Sequence, residues 1–326
     1  MGLSIIRYCE ENKPTPRWGR ITNDLIFELP WPASSLHDIL ANKPEWVASA
    51  LACSEDSGLT VSDVRLLSPL TSDATLICQG LNYAQHQEEV GLSEGAVSNE
   101  GNLIFVKSSA SMCGAKDDIE KPPECELLDY EAELGLVIGR DIDAPIDLSA
   151  EELGDYVAGF VICNDVSSRD QQMGAPGMQW FKGKSYRTFC PTGPILYLLE
   201  DGELNQLYDM TISLRVNGTL RQRASTSQLI HKPHDTLSYL SRFSNMRPGD
   251  CLLTGTPGGV AFEMDVKTGL AILTNMRRDR RRTEKLRQAQ RKRSEYLKPN
   301  DVVEIEIASA DGTISLGRQR NTVKAA

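Results

Sequence analysis

Short apolar segments follow one another along the chain from Ala74 onward, and this pattern constrains the fold more than any other feature of the sequence. Stretches of this length, rich in β-branched and aromatic residues and bounded by turn-forming residues, are typical of β-strands. Few stretches have the period of a helix, and the clearest of them covers residues 236–243. We therefore expect an α+β body that is mainly β. The strand-like segments lie at residues 75–78, 103–106, 130–138, 156–163, 195–199, 210–216, 250–254 and 302–307.

The first 70 residues are predicted to form a smaller unit. Residues 18–27 have the pattern of a β-hairpin with Asn23-Asp24 as its turn. Short helices are expected at residues 35–40 and 45–51, and Pro69 ends the unit. This pattern predicts a small N-terminal α+β domain, residues 1–70, followed by a larger β-rich domain, residues 71–326.

The composition is that of an ordinary globular chain, with 40% hydrophobic and 25% charged residues among 326. No apolar run approaches the roughly 20 residues that span a bilayer. The start of the chain, residues 1–7, is too short and too soon charged for a secretory signal. The 8 cysteines are scattered and form no Cys-x-x-Cys pair. We therefore expect reduced thiols and a cytoplasmic location.

Charge is distributed unevenly along the chain. The net charge is −10, which disfavours general attraction to nucleic acid or to a membrane, so neither is expected as a partner. Residues 277–293 nevertheless hold ten Lys or Arg against two acids, a local charge of +8, which leaves −18 for the remainder. They belong to a basic segment, residues 263–295, that interrupts two strand-like stretches. A solvated surface helix is the expected structure, and a contact with an anionic partner or a neighbouring subunit is the alternative.

Two pairs of glutamates stand two residues apart in strand-like segments. Glu131 and Glu133 begin one segment, and Glu304 and Glu306 lie in another. In a strand, residues two apart share a face, so each pair places its carboxylates side by side. Two buried carboxylates repel unless a cation lies between them, whereas an exposed pair needs none. Spacing alone does not choose between the two pairs.

Asp165 adds a third acid, because the apolar run 157–163 ends in Asn164-Asp165. An acid at the end of a buried strand is well placed to enter a site. Three carboxylates without His or Cys form a hard oxygen ligand set, which suits Mg²⁺ or Mn²⁺.

Several common catalytic and nucleotide-binding motifs are absent from the sequence. The stretch Gly183-Lys-Ser185 lacks the first glycine of a phosphate-binding P-loop, because Met178 stands at that position. No Gly-x-Ser-x-Gly nucleophile elbow occurs. Residues 255–259 follow a strand-like segment but do not have the glycine order of a dinucleotide site.

An ordered series of motifs from about residue 74 to the end resembles the fumarylacetoacetate hydrolase family, in its acylpyruvate hydrolase branch. The resemblance implies a mixed β-roll catalytic domain, usually in a homodimer, with one divalent cation per subunit. It maps the cation ligands to Glu131, Glu133 and Asp165, and leaves Glu304 and Glu306 on an exposed strand. The matching stretches are Gly80-Leu-Asn-Tyr-Ala-Gln-His86, Asp129-Tyr-Glu-Ala-Glu-Leu134, Asn164-Asp-Val-Ser-Ser-Arg-Asp-Gln171, Trp180-Phe-Lys-Gly-Lys-Ser-Tyr-Arg-Thr-Phe-Cys-Pro191, Arg247-Pro-Gly-Asp250, Thr254-Gly-Thr-Pro-Gly258 and Leu297-Lys-Pro-Asn-Asp-Val-Val-Glu-Ile-Glu306.

The same resemblance assigns roles to five further residues. The activating pair maps to His86 and Glu89, and on a short helix Glu89 at i+3 shares the face of His86. Lys184 is the expected cationic member of the site. Gln172 and Thr256 fall where the family contacts the oxo-acid end of its substrate. Arg169 fits either a buried structural role or a place in the site.

The resemblance also implies a reaction. We expect a metal-dependent hydrolase that cleaves a carbon–carbon bond in a 2,4-dioxo acid, with fumarylpyruvate or maleylpyruvate from aromatic compound degradation as leading candidates. An oxaloacetate decarboxylase, and an isomerase or hydratase of oxo acids, are the alternatives on the same scaffold. A binding protein that works through the basic segment is the alternative from a different class. Two features depart from the family pattern: Ser108, where a proline is usual, and the length of the basic segment.

Overall fold

The computed structural model describes residues 2–31, 35–53, 58–91, 102–174, 177–200 and 202–326. Strands dominate this part of the chain, as the sequence predicts. The first five strands are β1 (Leu3–Glu10), β2 (Lys13–Thr22), β3 (Leu25–Leu29), β4 (Leu59–Thr60) and β5 (Arg65–Leu67). The later strands are β6 (Leu76–Gly80), β7 (Leu103–Lys107), β8 (Met112–Gly114), β9 (Ile119–Lys121), β10 (Leu128–Asp129), β11 (Ala132–Ile138), β12 (Val157–Asn164), β13 (Ser167–Ser168), β14 (Cys190–Leu198), β15 (Met210–Val216), β16 (Thr219–Ser225), β17 (Cys251–Leu253), β18 (Val302–Ser309) and β19 (Ser315–Ala325).

The α-helices are short and lie between the strands. They are α1 (Leu36–Ala41), α2 (Lys43–Ala52), α3 (Ala84–Glu89), α4 (Arg169–Gly174), α5 (Trp180–Lys184), α6 (Pro233–Leu240), α7 (Val266–Leu273) and α8 (Asp279–Gln290).

Most of the strands belong to one large mixed sheet. Its order is β4-β3-β2-β1-β14-β12-β11-β17-β6-β7, with β5 beside β1 and β8 beside β14. A second sheet has the order β16-β15-β18-β19-β9, and β10 pairs with β13. Most neighbours are antiparallel, but β17 runs parallel to β6, β14 to β8 and β19 to β9. The prediction of a mainly β, α+β body with a mixed β-roll is therefore confirmed.

The N-terminal strands continue the large sheet, because β1 pairs antiparallel with β14. The predicted hairpin is present as β2 and β3. Its turn residues Asn23 and Asp24 have φ values of 50° and 65°, the left-handed pair that tight hairpins require. The division of the chain at residue 70 stays a prediction.

The centre of the large sheet brings two of the acids together. Every residue of β11 and β12 is buried, which fits their nearly continuous apolar sequences. The two strands are antiparallel, and their register pairs Ala132 with Asn164. The start of β11 and the end of β12 therefore lie side by side at the same end of the strand pair. Glu131 and Asp165 are the residues next to that end, and the Asp165 backbone N–H donates to the Glu131 carbonyl at 2.9 Å.

The basic segment contains two helices, α7 and α8. The helix predicted there is present as α8, but it is not solvated on all sides. Arg282, Leu286 and Gln290 form a buried face, and Arg282 Nε donates to the carbonyl of Gly174 at the end of α4 at 3.0 Å. None of the described helices is long and apolar enough to cross a membrane.

Candidate active site

Three carboxylates converge where β11 begins and β12 ends. Glu131 precedes β11, Glu133 lies in it, and Asp165 follows β12. One ligand oxygen from each of these side chains lies within 4.8 Å of the others, and all three residues are buried. The structure therefore brings together the acids that the resemblance assigns to a cation site.

Buried cations surround this group of acids. Lys184 Nζ donates to Glu131 Oε2 at 2.7 Å and to Asp165 Oδ2 at 2.6 Å. Lys107 Nζ donates to the other oxygen of Asp165 at 2.5 Å, and Arg169 Nη2 to the other oxygen of Glu131 at 2.5 Å. Glu131 and Asp165 are thus each held by two cationic side chains, whereas Glu133 accepts a hydrogen bond from the Gly255 backbone N–H at 2.7 Å.

The two glutamates therefore differ in their affinity for protons. Burial alone would raise the pKa of Glu131, but the charges of Lys184 and Arg169 outweigh it and lower that pKa to about 2. Burial raises the pKa of Glu133 well above its usual value, and the neighbouring carboxylates of Asp165 and Glu131 raise it further. Of the two glutamates, Glu133 is thus the one whose negative charge is more costly without a cation nearby.

His86 and Glu89 lie on one face of α3, as their spacing predicts. His86 Nδ1 lies 3.3 Å from Glu89 Oε2, and Glu89 Oε1 accepts from the Gly259 backbone N–H at 2.7 Å. Glu89 is thereby anchored to the loop after β17 and can orient the imidazole ring. His86 Nε2 has no hydrogen-bond partner among the described residues.

A small cavity connects His86 with the acids. Its volume is about 110 Å³, and its polar wall contains His86, Glu131, Glu133, Arg169 and Lys184. Its lining also includes the apolar side chains of Phe105 and Trp180, whose ring centroids lie 5.2 Å apart. Lys184 Nζ lies 5.1 Å from the centroid of the Phe105 ring. The cavity therefore combines charged and apolar side chains.

Comparison with known proteins places the chain in a family. Residues 75–324 match the family described as fumarylacetoacetate (FAA) hydrolase, C-terminal. The chain belongs to the fumarylacetoacetate hydrolase family. Members of this family are enzymes that include hydrolases, isomerases and tautomerases. The motif-based recognition is confirmed at this level.

Two curated relatives in the fumarylacetoacetate hydrolase family are named as mitochondrial oxaloacetate tautomerases. The protein of Xenopus laevis is 34% identical over 268 residues, which cover 80% of this chain and 81% of that protein. The protein of Rattus norvegicus is 40% identical over 201 residues, which cover 62% of this chain. The chain spans 61% of the length of the rat protein.

Solved structures of the family match over nearly the whole chain. The fumarylacetoacetate hydrolase of Exiguobacterium antarcticum has a TM-score of 0.73 at 27% identity and covers 99% of this chain and 100% of its own. The 5-carboxymethyl-2-hydroxymuconate delta-isomerase of Mycobacterium smegmatis has a TM-score of 0.66 at 25% identity and covers 100% of both chains.

Gln172 and Thr256 line the cavity, where the family resemblance expects them. Gln172 Oε1 accepts from Arg169 Nη1 at 3.1 Å. The Thr256 hydroxyl donates to the Ala132 carbonyl at 3.0 Å and accepts from Gln222 Nε2 at 2.8 Å. Both side chains are therefore fixed by the protein, and their predicted contact with substrate stays a prediction.

Sequence reasoning missed two of the residues that complete this site. Lys107 ends β7 and pairs with Asp165; its position in the motif Phe105-Val-Lys-Ser108 was the available signal. Asp129 orients Arg169, accepting from Arg169 Nε at 2.8 Å and from the backbone N–H groups of Ala261 and Phe262 at 2.8 and 3.0 Å. Arg169, for which two roles were open, contacts both Asp129 and Glu131 and lines the cavity.

The chemistry of the donor set fits a divalent cation. The three acids offer only carboxylate oxygens, the ligands that Mg²⁺ and Mn²⁺ prefer. Close approach of Glu133 to the other two acids raises its pKa, and a dication would remove this repulsion. Glu131, Glu133 and Asp165 are therefore the residues that could hold such an ion.

Proposed function

We propose that the protein interconverts the keto and enol forms of a short 2-oxo acid of the oxaloacetate type, with the help of a divalent cation. One observation carries the proposal: His86, which contacts Glu89, lines the same small cavity as Glu131 and Glu133 of the buried set of three carboxylates. The names of the two curated relatives support this reaction and this substrate. A cavity of about 110 Å³ supports a small substrate, since pockets for drug-sized ligands measure roughly 300 Å³ or more.

Glu131, Glu133 and Asp165 would hold the cation, Mg²⁺ or Mn²⁺. When bound, such an ion acts as a Lewis acid that stabilises negative charge on the oxygens of a 2-oxo acid. The residues around it set the charge of the site. With the dication, the four acids around the cation site (Asp129, Glu131, Glu133 and Asp165) face three cationic side chains (Lys107, Arg169 and Lys184), which leaves a formal charge of +1, and the carboxylate of Glu89 beside His86 brings the total to zero. The cations thus offset the acids, so an anionic substrate is not repelled.

His86 is the group that moves the proton. Glu89 holds Nδ1, so Nε2 takes a proton from the carbon beside the keto group. The same proton then returns from Nε2 to the keto oxygen, which completes the conversion to the enol without loss or gain of atoms. A positioned general base of this kind contributes about 10²–10⁴ in rate.

Lys184, Gln172 and Thr256 would position the substrate. Lys184 is buried between two carboxylates, and those acids raise its pKa in spite of the burial that lowers it. It therefore keeps its charge and can attract the substrate carboxylate. Gln172 and Thr256, which the protein holds in place, provide polar contacts to the oxo-acid end.

Hydrolysis of an acylpyruvate such as fumarylpyruvate is the second candidate. The His86–Glu89 pair favours it, because the same base could take a proton from water that attacks the C4 carbonyl. Cleavage would then yield pyruvate and a carboxylic acid. The apolar lining residues Phe105 and Trp180 would contact the acyl part. Decarboxylation of oxaloacetate, by contrast, needs neither an attacking water nor a contact with an acyl group.

One assay separates these reactions. The enzyme is mixed with oxaloacetate or with acylpyruvates, in Mg²⁺ or Mn²⁺, while the enol absorbance is recorded and the products are identified by mass. We expect faster approach to the keto–enol equilibrium of oxaloacetate with no change in mass. Release of carbon dioxide would instead identify a decarboxylase. Formation of pyruvate and a second acid from the acylpyruvates, without an effect on oxaloacetate, would identify a hydrolase.

A further inference from the structure

Helix α7 presents apolar side chains to the exterior. Val266, Leu270, Leu273 and Met276 are 80%, 55%, 67% and 57% exposed. Their spacing of four, three and three residues places them along one side of the helix and the turn that follows it. We call these four residues the α7 ridge. Single exposed apolar residues are ordinary, but a contiguous set on one element indicates a contact surface.

Cationic side chains lie next to the α7 ridge. Lys267, Arg278, Arg281 and Lys285 line a groove of about 530 Å³ between α7 and α8, together with Leu270 of the ridge. No acidic residue is among the lining residues that the structure describes. We call these four residues the groove cations.

The groove cations Arg278, Arg281 and Lys285 differ from the two arginines of α8 that contact the rest of the protein. Arg282 pairs with Asp279, and Arg287 with Asp170 and Glu126. Arg278, Arg281 and Lys285 form no ion pair with another residue in the described part of the chain. The face of α8 that packs on the protein is thus neutralised, and the face toward α7 keeps its positive charge.

We propose that the α7 ridge and the groove cations dock the protein onto an anionic lipid surface. A helix that combines exposed apolar residues with flanking Lys and Arg binds such surfaces, because apolar burial and attraction to anionic headgroups act together. Val266, Leu273 and Met276 do not line the groove. They project beside it, which suits insertion between headgroups.

A second copy of the chain fits this face less well. In a symmetric pair each copy would present the same patch, so two positively charged surfaces would be brought together. Such like charges across an interface oppose association. An anionic lipid surface supplies the opposite charge instead.

The negative charge elsewhere on the chain does not prevent this contact. Exposed charges farther apart than about 8 Å are largely screened at physiological salt. The local patch therefore dominates once it touches the surface. The expectation of no membrane partner came from the net charge of the whole chain. We propose a membrane contact nevertheless, because the groove cations are concentrated on one surface.

Vesicle co-sedimentation of the full-length protein tests the proposal. Vesicles of phosphatidylcholine alone are compared with vesicles that also contain phosphatidylserine. Two variants remove one component each: Leu270→Asp/Leu273→Asp for the ridge and Arg278→Gln/Arg281→Gln/Lys285→Gln for the cations. Phe243→Asp is the matched control, because Phe243 is 61% exposed on a different element. Thermal unfolding verifies that each variant is folded, and light scattering gives its oligomeric state.

We expect binding to the phosphatidylserine vesicles only, weakened by added salt. Each neutralised cation should weaken partitioning about fivefold. The ridge variant should lose binding, and Phe243→Asp should keep it. The salt dependence of the wild-type protein tests the charge contribution without any variant. Absence of binding, equal binding to phosphatidylcholine alone, or equal binding of soluble glycerophosphoserine would overturn the proposal. So would a ridge variant whose only change is a smaller oligomer, which would assign the face to a second copy.

Discussion

The guanidinium of Arg287 holds the carboxylate of Asp170 with two hydrogen bonds, from Nε at 2.9 Å and from Nη2 at 2.6 Å. Arg287 belongs to α8 of the basic segment, and Asp170 is a fully buried residue of α4. The same short helix α4 carries Arg169 and Gln172, which line the candidate active site. The basic segment is thus joined to a wall of the cavity by a buried carboxylate.

Replacement of Arg287 by Ala should destabilise the protein. Asp170 would keep its bonds from Ser168 Oγ at 2.8 Å and the Glu126 backbone N–H at 3.0 Å but lose its cation. We expect the free energy of unfolding to fall by about 1–3 kcal/mol, measured by urea denaturation. Arg291→Ala is the control, since Arg291 is an exposed residue of the same segment without an ion pair to a described residue. Equal stability of the two variants would show that the Arg287–Asp170 pair does not stabilise the fold.

Glu133→Gln should weaken cation binding. The substitution keeps the size of the side chain and removes a carboxylate from the three-acid group, which consists of Glu131, Glu133 and Asp165. We expect the Mn²⁺ affinity to fall at least about tenfold, measured by calorimetric titration. Glu306→Gln provides a control with the same spacing in sequence, because Glu306 lies on β18, exposed and near Arg318. Unchanged Mn²⁺ affinity in Glu133→Gln would show that the acids are not the cation site.

The sequence predicts the elements that carry the acids because their signals are local. The apolar runs of β11 and β12 are visible by themselves, and so is an acid at the end of a run. Helix α6 is displaced toward the N-terminus from its expected position at 236–243, since Pro233 fits the first turn of a helix. Strand β19 has no apolar run, and its pairing with β18 makes it a strand.

The contacts that complete the site depend on long-range packing, and local signals do not report it. Lys107 and Asp165 are 58 residues apart, and Asp170 and Arg287 are 117 apart. A lysine at the end of a strand and an arginine in a basic helix have the same local pattern whether they are buried or exposed. Only the docking of α8 on α4 and of β7 near the end of β12 distinguishes them.

His86→Gln should separate cation binding from turnover. His86 lines the cavity without belonging to the three-acid group, so the variant should bind Mn²⁺ with unchanged affinity. Its kcat for keto–enol conversion should fall about 10²–10⁴-fold, because the general base is lost. Glu89→Gln should give a smaller loss, since it keeps a side chain that can contact Nδ1. His234→Gln, outside the cavity, should keep full activity. A parallel loss of Mn²⁺ affinity in His86→Gln would contradict this separation.

Lys107→Met should destabilise the protein most when no cation is bound. Lys107 and Asp165 are both fully buried at their side chains, and removal of one partner leaves part of a buried charge uncompensated. Breaking such a pair costs about 3–5 kcal/mol, and because Lys184 still contacts Asp165 we expect about 3 kcal/mol in urea denaturation with chelator present.

Added Mn²⁺ should reduce the loss in Lys107→Met, because a dication beside Asp165 replaces the missing positive charge. Lys182→Met is the control, since Lys182 is an exposed lysine of α5, and its stability should match the wild type with and without Mn²⁺. If the difference in free energy of unfolding between Lys107→Met and wild type is the same in chelator and in Mn²⁺, Asp165 does not contact the cation. Asp165 would then be excluded as a ligand of the proposed cation.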